Sequence, residues 1–234
     1  MAEILTLIDK QDNNEIIRDQ IGAILAIEIA NQRALAVTAS KPNPDEYFFD
    51  VTIESTKPLE ALTDADGNEN GEIKKGLVNV FFESDTFDSP GSNVVDSQNV
   101  KGNFIIDCYA HKSGTIDEDN DDETILNGDE AASREADRIA RFCRNILMSG
   151  VYTYLKLGRD AGLQIVQKRF IVKREKFAPE QQNPVLNNVV GARLTMQVNY
   201  VEFSPQVILE TLTTLITECT RSSDGKILFE YQAT

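Results

Sequence analysis

Hydrophobic residues recur at helical spacing in two long stretches of the chain. The first stretch starts after Asn13 or Asn14, either of which can cap a helix, and it continues to about Gln32. Its apolar face is predicted to hold Ile17, Ile21, Ile24, Leu25 and Glu28, with Ile16, Ala23 and Ile27 widening the stripe. The second stretch predicts a helix from about Asp129 to Leu157, with its apolar side at Ala136, Ile139, Ala140, Cys143, Ile146 and Leu147. We expect Gly150 to weaken this helix and Gly158 to cap it.

Aromatic, β-branched and alternating segments predict strands on both sides of the second helix. Residues 47–52, 77–83 and 103–110 precede it, and a basic strand after Gly162 and the segment 192–200 follow it. The last of these alternates most clearly, with Ala192, Leu194, Met196, Val198 and Tyr200 on one face and Arg193, Thr195, Gln197 and Asn199 on the other. In 103–110, Asp107 shares a face with Ile105 and Tyr109. We therefore expect an α+β fold in which a mostly antiparallel sheet packs against two helices.

The C-terminal segment permits two interpretations. Apolar residues from Ile208 to Cys219 have helical spacing, yet five threonines between 211 and 220 favour extended structure. A turn at 222–225 separates this segment from a strand at 226–231. We prefer a β-hairpin, so that residues 1–205 form the α+β domain, with an insertion at 43–75, and 206–234 form an extension that acts as an arm.

The composition and net charge exclude some classes of protein as predictions for this chain. The 234 residues include 23 basic and 38 acidic side chains, a net charge of −15, which argues against a protein whose main task is to grip nucleic-acid phosphates. Three widely spaced cysteines suit a reducing cytosol. The N-terminal residues lack the basic start of a signal peptide, and no apolar run approaches the roughly 18 residues of a membrane span. We expect a soluble chain made in a cytoplasm.

Charge is distributed unevenly along the chain. Residues 43–130 carry 5 basic and 22 acidic residues, whereas residues 131–176 carry 11 basic and 4 acidic residues. The second helix and the strand after it therefore form a basic band in an acidic protein. One interpretation is a subunit interface that meets acidic loops of the next copy. Its predicted residues are Arg134, Arg138, Arg141, Lys168, Arg169, Lys173, Arg174 and Arg193. The alternative is that these side chains pair with acidic loops of their own subunit.

No group of residues in the sequence predicts catalysis, a cofactor or a metal. His111 and Cys108 are three residues apart at a strand end and should point to opposite faces. The acidic segments 64–72 and 117–123 resemble calcium loops, but the glycine and glutamate that such a loop needs at its sixth and twelfth positions are missing. Phosphate-binding glycine loops and metal-binding cysteine or histidine motifs are also missing. We expect a protein that is not an enzyme.

The order of the elements carries a family resemblance. Two strands at 77–110 are followed by a charged loop, the helix EADRIARFCRNIL (135–147) and a return to VNYVEFSP (198–205). This order resembles the tail terminator, or tail completion, family of phages. The resemblance implies a ring, usually of six copies, that caps the tail tube, contacts tube, sheath or connector proteins and lets DNA pass without specific binding. It implies a virion protein assembled in the host cytoplasm, with no catalytic residues, no cofactor and no membrane.

Two further points follow from the resemblance and the charge. The insertion at 43–75 and the extension at 206–234 exceed the usual core of the family, which leaves open another neck, sheath-joining or baseplate component. The acidic residues at 43–130 also permit a DNA mimic that occupies the basic groove of a nucleic-acid-binding protein. A metal-dependent hydrolase that uses surface carboxylates is the third alternative.

Overall fold

The chain forms an α+β fold built on one five-stranded sheet. The computed structural model describes residues 12–56, 58, 76–88, 97–111, 115–116, 125–126, 128–157, 166–179, 189–203, 215–220 and 227–233. The helices are α1 (Asn13–Thr38) and α2 (Gly128–Leu147), and short 3-10 helices lie at Pro44–Tyr47 and Gly150–Tyr152. The strands are β1 (Asp50–Ile53), β2 (Gly76–Phe87), β3 (Ser97–His111), β4 (Thr115–Ile116), β5 (Ile125–Leu126), β6 (Val166–Phe177), β7 (Val189–Phe203), β8 (Leu215–Thr220) and β9 (Ile227–Ala233).

The main sheet is antiparallel apart from one edge. Its strand order is β1-β2-β3-β7-β6, and only the short β1 pairs in parallel, with the first half of β2. The long central pair β3–β7 runs in register from Ser97 opposite Phe203 to His111 opposite Val189. Two small hairpins, β4–β5 and β8–β9, complete the strands that the structure describes. The β8–β9 hairpin belongs to a second compact unit, separate from the main unit Asp9–Ser204.

Both helices pack on the same face of the sheet and enclose the core. The predicted apolar face of β7 is buried completely, from Ala192 to Tyr200, and so are alternate residues of β3, from Phe104 to Ala110. The predicted apolar side of α2 is also buried. These strands and α2 share one core with α1, which supplies Ile17, Ile21, Ile24, Leu25 and Ile29. Burial of this size is the dominant stabilising contribution to such a fold.

The second helix is shorter than its sequence predicts. It ends at Leu147, ten residues before the predicted end, and a 3-10 turn begins at Gly150. Leu155 and Lys156 have φ angles of 52° and 53°, a backbone conformation that no α-helix contains. The predicted C-cap at Gly158 lies outside the described residues. The apolar residues beyond Leu147 therefore belong to a separate segment that folds back on the core, where Tyr152 and Leu155 are buried.

The first helix is longer than predicted, and its N-cap is a different residue. Asp12, rather than Asn13 or Asn14, caps it by accepting a hydrogen bond from the backbone N–H of Asn13, and the helix continues to Thr38. The prediction that Ile27 widens the buried stripe is wrong, because 65% of this side chain is exposed. By length and composition alone α1 could cross a membrane, a test that core helices of soluble proteins also pass.

Strand boundaries differ from the prediction at their ends. The predicted strand 47–52 begins too early. Tyr47 is the last residue of the 3-10 helix Pro44–Tyr47, which proline at the first helical position favours, and β1 starts only at Asp50. Strands β2, β3 and β7 are longer than predicted. The charged loop predicted between the strand 103–110 and the second helix contains the small β4–β5 hairpin. The C-terminal segment forms two antiparallel strands, as its threonines predict.

Candidate functional site

The main sheet divides the predicted basic band between its two faces. Successive side chains of a strand point to opposite faces, so neighbouring residues such as Lys173 and Arg174 are separated. Arg174 reaches α2 on the helix-covered face, whereas Lys173 pairs with Glu175 on the far face. Five of the predicted interface residues lie with α2, namely Arg134, Arg138, Arg141, Arg169 and Arg174. The other three, Lys168, Lys173 and Arg193, lie on the far face of the sheet.

Arg169 has a structural role at the end of α2. Its Nε donates to the carbonyl oxygen of Leu147 at 2.7 Å, and its two Nη atoms donate to those of Ser149 at 2.7 Å and Thr153 at 3.1 Å. Leu147 is the last residue of the helix, where the intrahelical backbone donors run out, and the Ser149 carbonyl also accepts from the backbone N–H of Tyr152. Burial lowers the pKa of this guanidinium below its ordinary value. Arg169 is therefore held within its own subunit and offers little to a partner.

Asp137 of α2 is the point at which β6 is attached to the helix. Lys176 Nζ lies 2.7 Å from Asp137 Oδ2, and Arg174 also donates to this carboxylate. Burial acts to raise the pKa of Asp137, but the hydrogen bonds from Lys176 and Arg174 outweigh it, so that the pKa is lowered. Arg174 and Lys176 of β6 thus pair with a helix of the same subunit.

The exposed flank of α2 borders an open groove. Arg134 pairs with Glu130 at 2.9 Å and Arg138 with Glu135 at 3.2 Å, both within the helix. Among the residues that the structure describes, the Arg141 side chain makes no hydrogen bond or ion pair. The groove measures about 720 Å³, and Glu46, Tyr47, Phe49, Glu135, Arg138, Arg141, Phe142 and Asn145 line it. Its aromatic side is an edge-to-face cluster in which the Phe142 ring centroid lies 6.3 Å and 6.0 Å from those of Tyr47 and Phe49.

An ion pair between neighbouring strands is the main polar feature of the far face. Arg193 Nε lies 2.7 Å from Asp107 Oδ1, and its Nη2 lies 2.8 Å from Oδ2, so the contact is bidentate. Asp107 is 1% exposed. The hydrogen bond to Asp107 raises the pKa of Arg193 despite its partial burial. Its guanidinium also lies 5.0 Å and 5.7 Å from the ring centroids of Phe177 and Phe81.

The sequence candidates for catalysis are not brought together. Cys108 is buried beside Cys143 on the helix-covered face, and His111 lies at the end of β3 on the other face, as the alternation predicts. Burial lowers the pKa of His111. Within the described part of the chain, no three His, Cys, Asp or Glu side chains are placed to hold a metal ion. The acidic segments 64–72 and 117–123 lie outside the described residues.

No known family model matches the chain, and no curated protein matches it.

Within the described residues, the main sheet ends in two edges of opposite charge. At one end, β6 contains five basic residues and one acidic residue over its 12 positions, and within the described sheet it pairs only with β7. At the other end, β1 covers β2 only from Leu77 to Val80. The rest of β2 carries Glu83 and Asp85 and pairs, within the same described sheet, only with β3. Sequence reasoning identified the basic segment but missed the acidic edge, because that edge exists only where β1 stops.

Proposed function

We propose that this chain is a structural virion protein that forms a ring of six copies, caps a phage tail tube and joins it to the neck. The order of the elements supports the family resemblance, and the fold has the α+β architecture that this resemblance implies. The main support for the proposal is that the two edges of the sheet carry opposite charges. Identical subunits that associate head to tail through two different surfaces form a ring when the rotation between neighbours closes and an open filament when it does not. We propose that the rotation closes after six copies.

Edge pairing explains why the two charged surfaces lie at opposite ends of one sheet. The basic edge of β6 in one copy meets the acidic edge of β2, with Glu83 and Asp85, in the next copy. Backbone groups that are open at each edge are then satisfied by a strand of the neighbour. The lysines of β6 have a second effect in the free subunit, where charge at an edge opposes indiscriminate pairing. Charge therefore selects the acidic edge as the partner.

The surroundings of such a ring follow from the same charge. The net charge of −15 gives the assembled ring a negative field, through which DNA passes without specific binding because like charges repel. Its partners are the tail tube protein, sheath proteins or the head–tail connector, and it assembles in the host cytoplasm. The β8–β9 hairpin is the arm that extends over an adjacent subunit. This function needs no catalytic residue and no cofactor.

The mass of the full chain in solution tests this proposal. Light scattering after gel filtration at low ionic strength should give six times the 26.1 kDa of one chain, and negative-stain images should show rings. Salt at about 1 M, where the Debye length is about 3 Å, should dissociate them. A chain that stays monomeric at high concentration, and that does not bind isolated tail tubes, would contradict the proposal.

A further inference from the structure

Two of the three cysteines meet in the core between α2 and the main sheet. Cys108 lies on the helix-covered face of β3, and Cys143 lies near the C-terminal end of α2. Both side chains are completely buried, and both are thiols rather than halves of a disulfide. The two thiols form a hydrogen bond with each other. A helix and a central strand are therefore in contact through two groups that can be joined covalently.

Small side chains let α2 approach the sheet closely at this point. Ala136 and Ala140 precede Cys143 by about two turns and one turn, so all three lie on the same side of the helix. On the sheet, Ala192 of β7 stands directly opposite Cys108. These alanines are all completely buried. A disulfide requires Cβ atoms about 3.8 Å apart, and close packing of a helix on a sheet is what brings two cysteines to such a distance.

The closed core protects the two thiols from reaction. The hydrogen bond with Cys143, followed by burial, raises the pKa of the Cys108 thiol well above its ordinary value. Because the thiolate is the form that attacks a disulfide, a thiol in this state reacts only when α2 opens locally from the sheet. The same packing protects a disulfide from reductants once it has formed. Oxidation of the pair is therefore expected to be slow and to persist.

We propose that Cys108 and Cys143 are a redox-sensitive lock, which stays open as two thiols in a reducing medium and closes as a disulfide in an oxidising one. The oxidant is a small disulfide such as oxidised glutathione. One thiolate attacks it and releases a first molecule of reduced glutathione, and the second thiolate attacks the mixed disulfide and releases another. The pair loses two protons and two electrons, and the small disulfide takes up both.

The closed lock adds a second attachment to α2. Arg169 and Arg174 hold the helix to β6 through hydrogen bonds, whereas the disulfide would hold it to β3. The bond closes a loop that contains β4, β5 and most of α2. Since closure of this loop restricts the unfolded chain, the oxidised form should be the more stable one. The lock belongs to the single subunit and does not depend on the proposed ring.

Mass spectrometry of the full chain tests the lock. Cys219→Ser leaves the pair as the only cysteines. After incubation with oxidised glutathione and alkylation in denaturant, this chain should carry no alkyl group and should have lost the mass of two hydrogen atoms. Refolding of the denatured chain with the same oxidant should give the same product, so that slow access to the core does not decide the result. Adding Cys108→Ala or Cys143→Ala provides the matched controls, which cannot form the bond.

Thermal unfolding measures the effect of the lock. The oxidised chain should unfold roughly 10 °C above its reduced form, whereas the two controls should show no such rise after the same treatment. Three results would overturn the inference. They are two alkylated thiols after both routes, glutathione that remains attached to either cysteine of the pair, and a disulfide that does not raise the unfolding temperature.

Discussion

Arg193 on β7 and Asp107 on β3 stand directly opposite each other in the sheet and form a bidentate ion pair. The two residues are 86 positions apart in the sequence. The hydrophobic pattern fixes the register of these two strands, because a shift by one residue would turn every buried side chain of β7 to the other face, and the observed register is the one that places Arg193 opposite Asp107. The Arg193 guanidinium of this pair also lies over the rings of Phe81 and Phe177 on the far face of the sheet.

Removing either partner of this pair should destabilise the fold to different extents. Arg193→Met leaves the buried Asp107 carboxylate without its cation and should lower the free energy of unfolding by about 3 kcal/mol. Asp107→Asn still offers an acceptor to a guanidinium that reaches solvent, and it should cost about 1 kcal/mol. Urea unfolding of the two variants measures the difference. Equal effects of the two substitutions would contradict the assignment of the buried charge to Asp107.

Arg169 should prove more important for stability than its basic neighbour on the strand. Arg169→Ala removes three hydrogen bonds to carbonyls at and beyond the end of α2, and we expect a loss of about 2 kcal/mol. Lys168→Ala is the matched control, because its exposed side chain only stacks on Phe170, and its effect should stay within about 0.5 kcal/mol. Thermal unfolding compares the two. If the main role of Arg169 were to bind a partner protein, both variants would unfold at the same temperature as the wild type.

Glu202 should make the fold less stable as the pH rises toward neutrality. Burial, followed by the charge of Asp12, raises the pKa of Glu202 from its ordinary value of 4.5 to about 7, and Asp85 adds to the repulsion while Asn13 opposes it. The stabilising contribution of the protonated form is complete below pH 4.5 and is lost as the pH rises through 7. Glu202→Gln should therefore unfold at higher urea concentration than the wild type at pH 8, and the two should converge near pH 4.5. A constant difference between them over this range would rule out the shifted pKa.

The residues that alternation and helical spacing placed in the core could be predicted because burial follows from the hydrophobic pattern itself. This holds for β7 from Ala192 to Tyr200 and for α2 from Ala136 to Leu147. The end of α2 was not predictable, because the apolar residues after Leu147 continue the pattern while Arg169, 22 residues later, binds the carbonyls that end the helix. Ile27 was misplaced for a related reason. A helix that is apolar on two sides gives no sign of which side faces the core.

The contacts of the candidate site could not be predicted without knowing the register of the sheet. Alternation places Asp107 and Arg193 each on the non-core face of its strand, but only the pairing of β3 with β7 brings them into contact. The same alternation divides the basic residues of β6 between two faces, which a count of charge along the chain cannot show. The acidic edge depends on the length of β1, four residues against the twelve of β2.

Exchange of charge between the two sheet edges tests the proposed ring most directly. One variant carries Lys168→Glu and Lys173→Glu on β6. Arg169, Arg174 and Lys176 stay bound within their own subunit, and the other charged side chains of that edge are then acidic. The second variant carries Glu83→Lys and Asp85→Lys on β2, so that both of its edges are basic. Light scattering at low ionic strength should find each variant monomeric by itself, and an equimolar mixture should form a ring of six in which the two kinds alternate. Assembly of either variant alone to the mass of the wild type, or a mixture that stays monomeric beside a wild type that forms rings, would contradict edge-to-edge assembly.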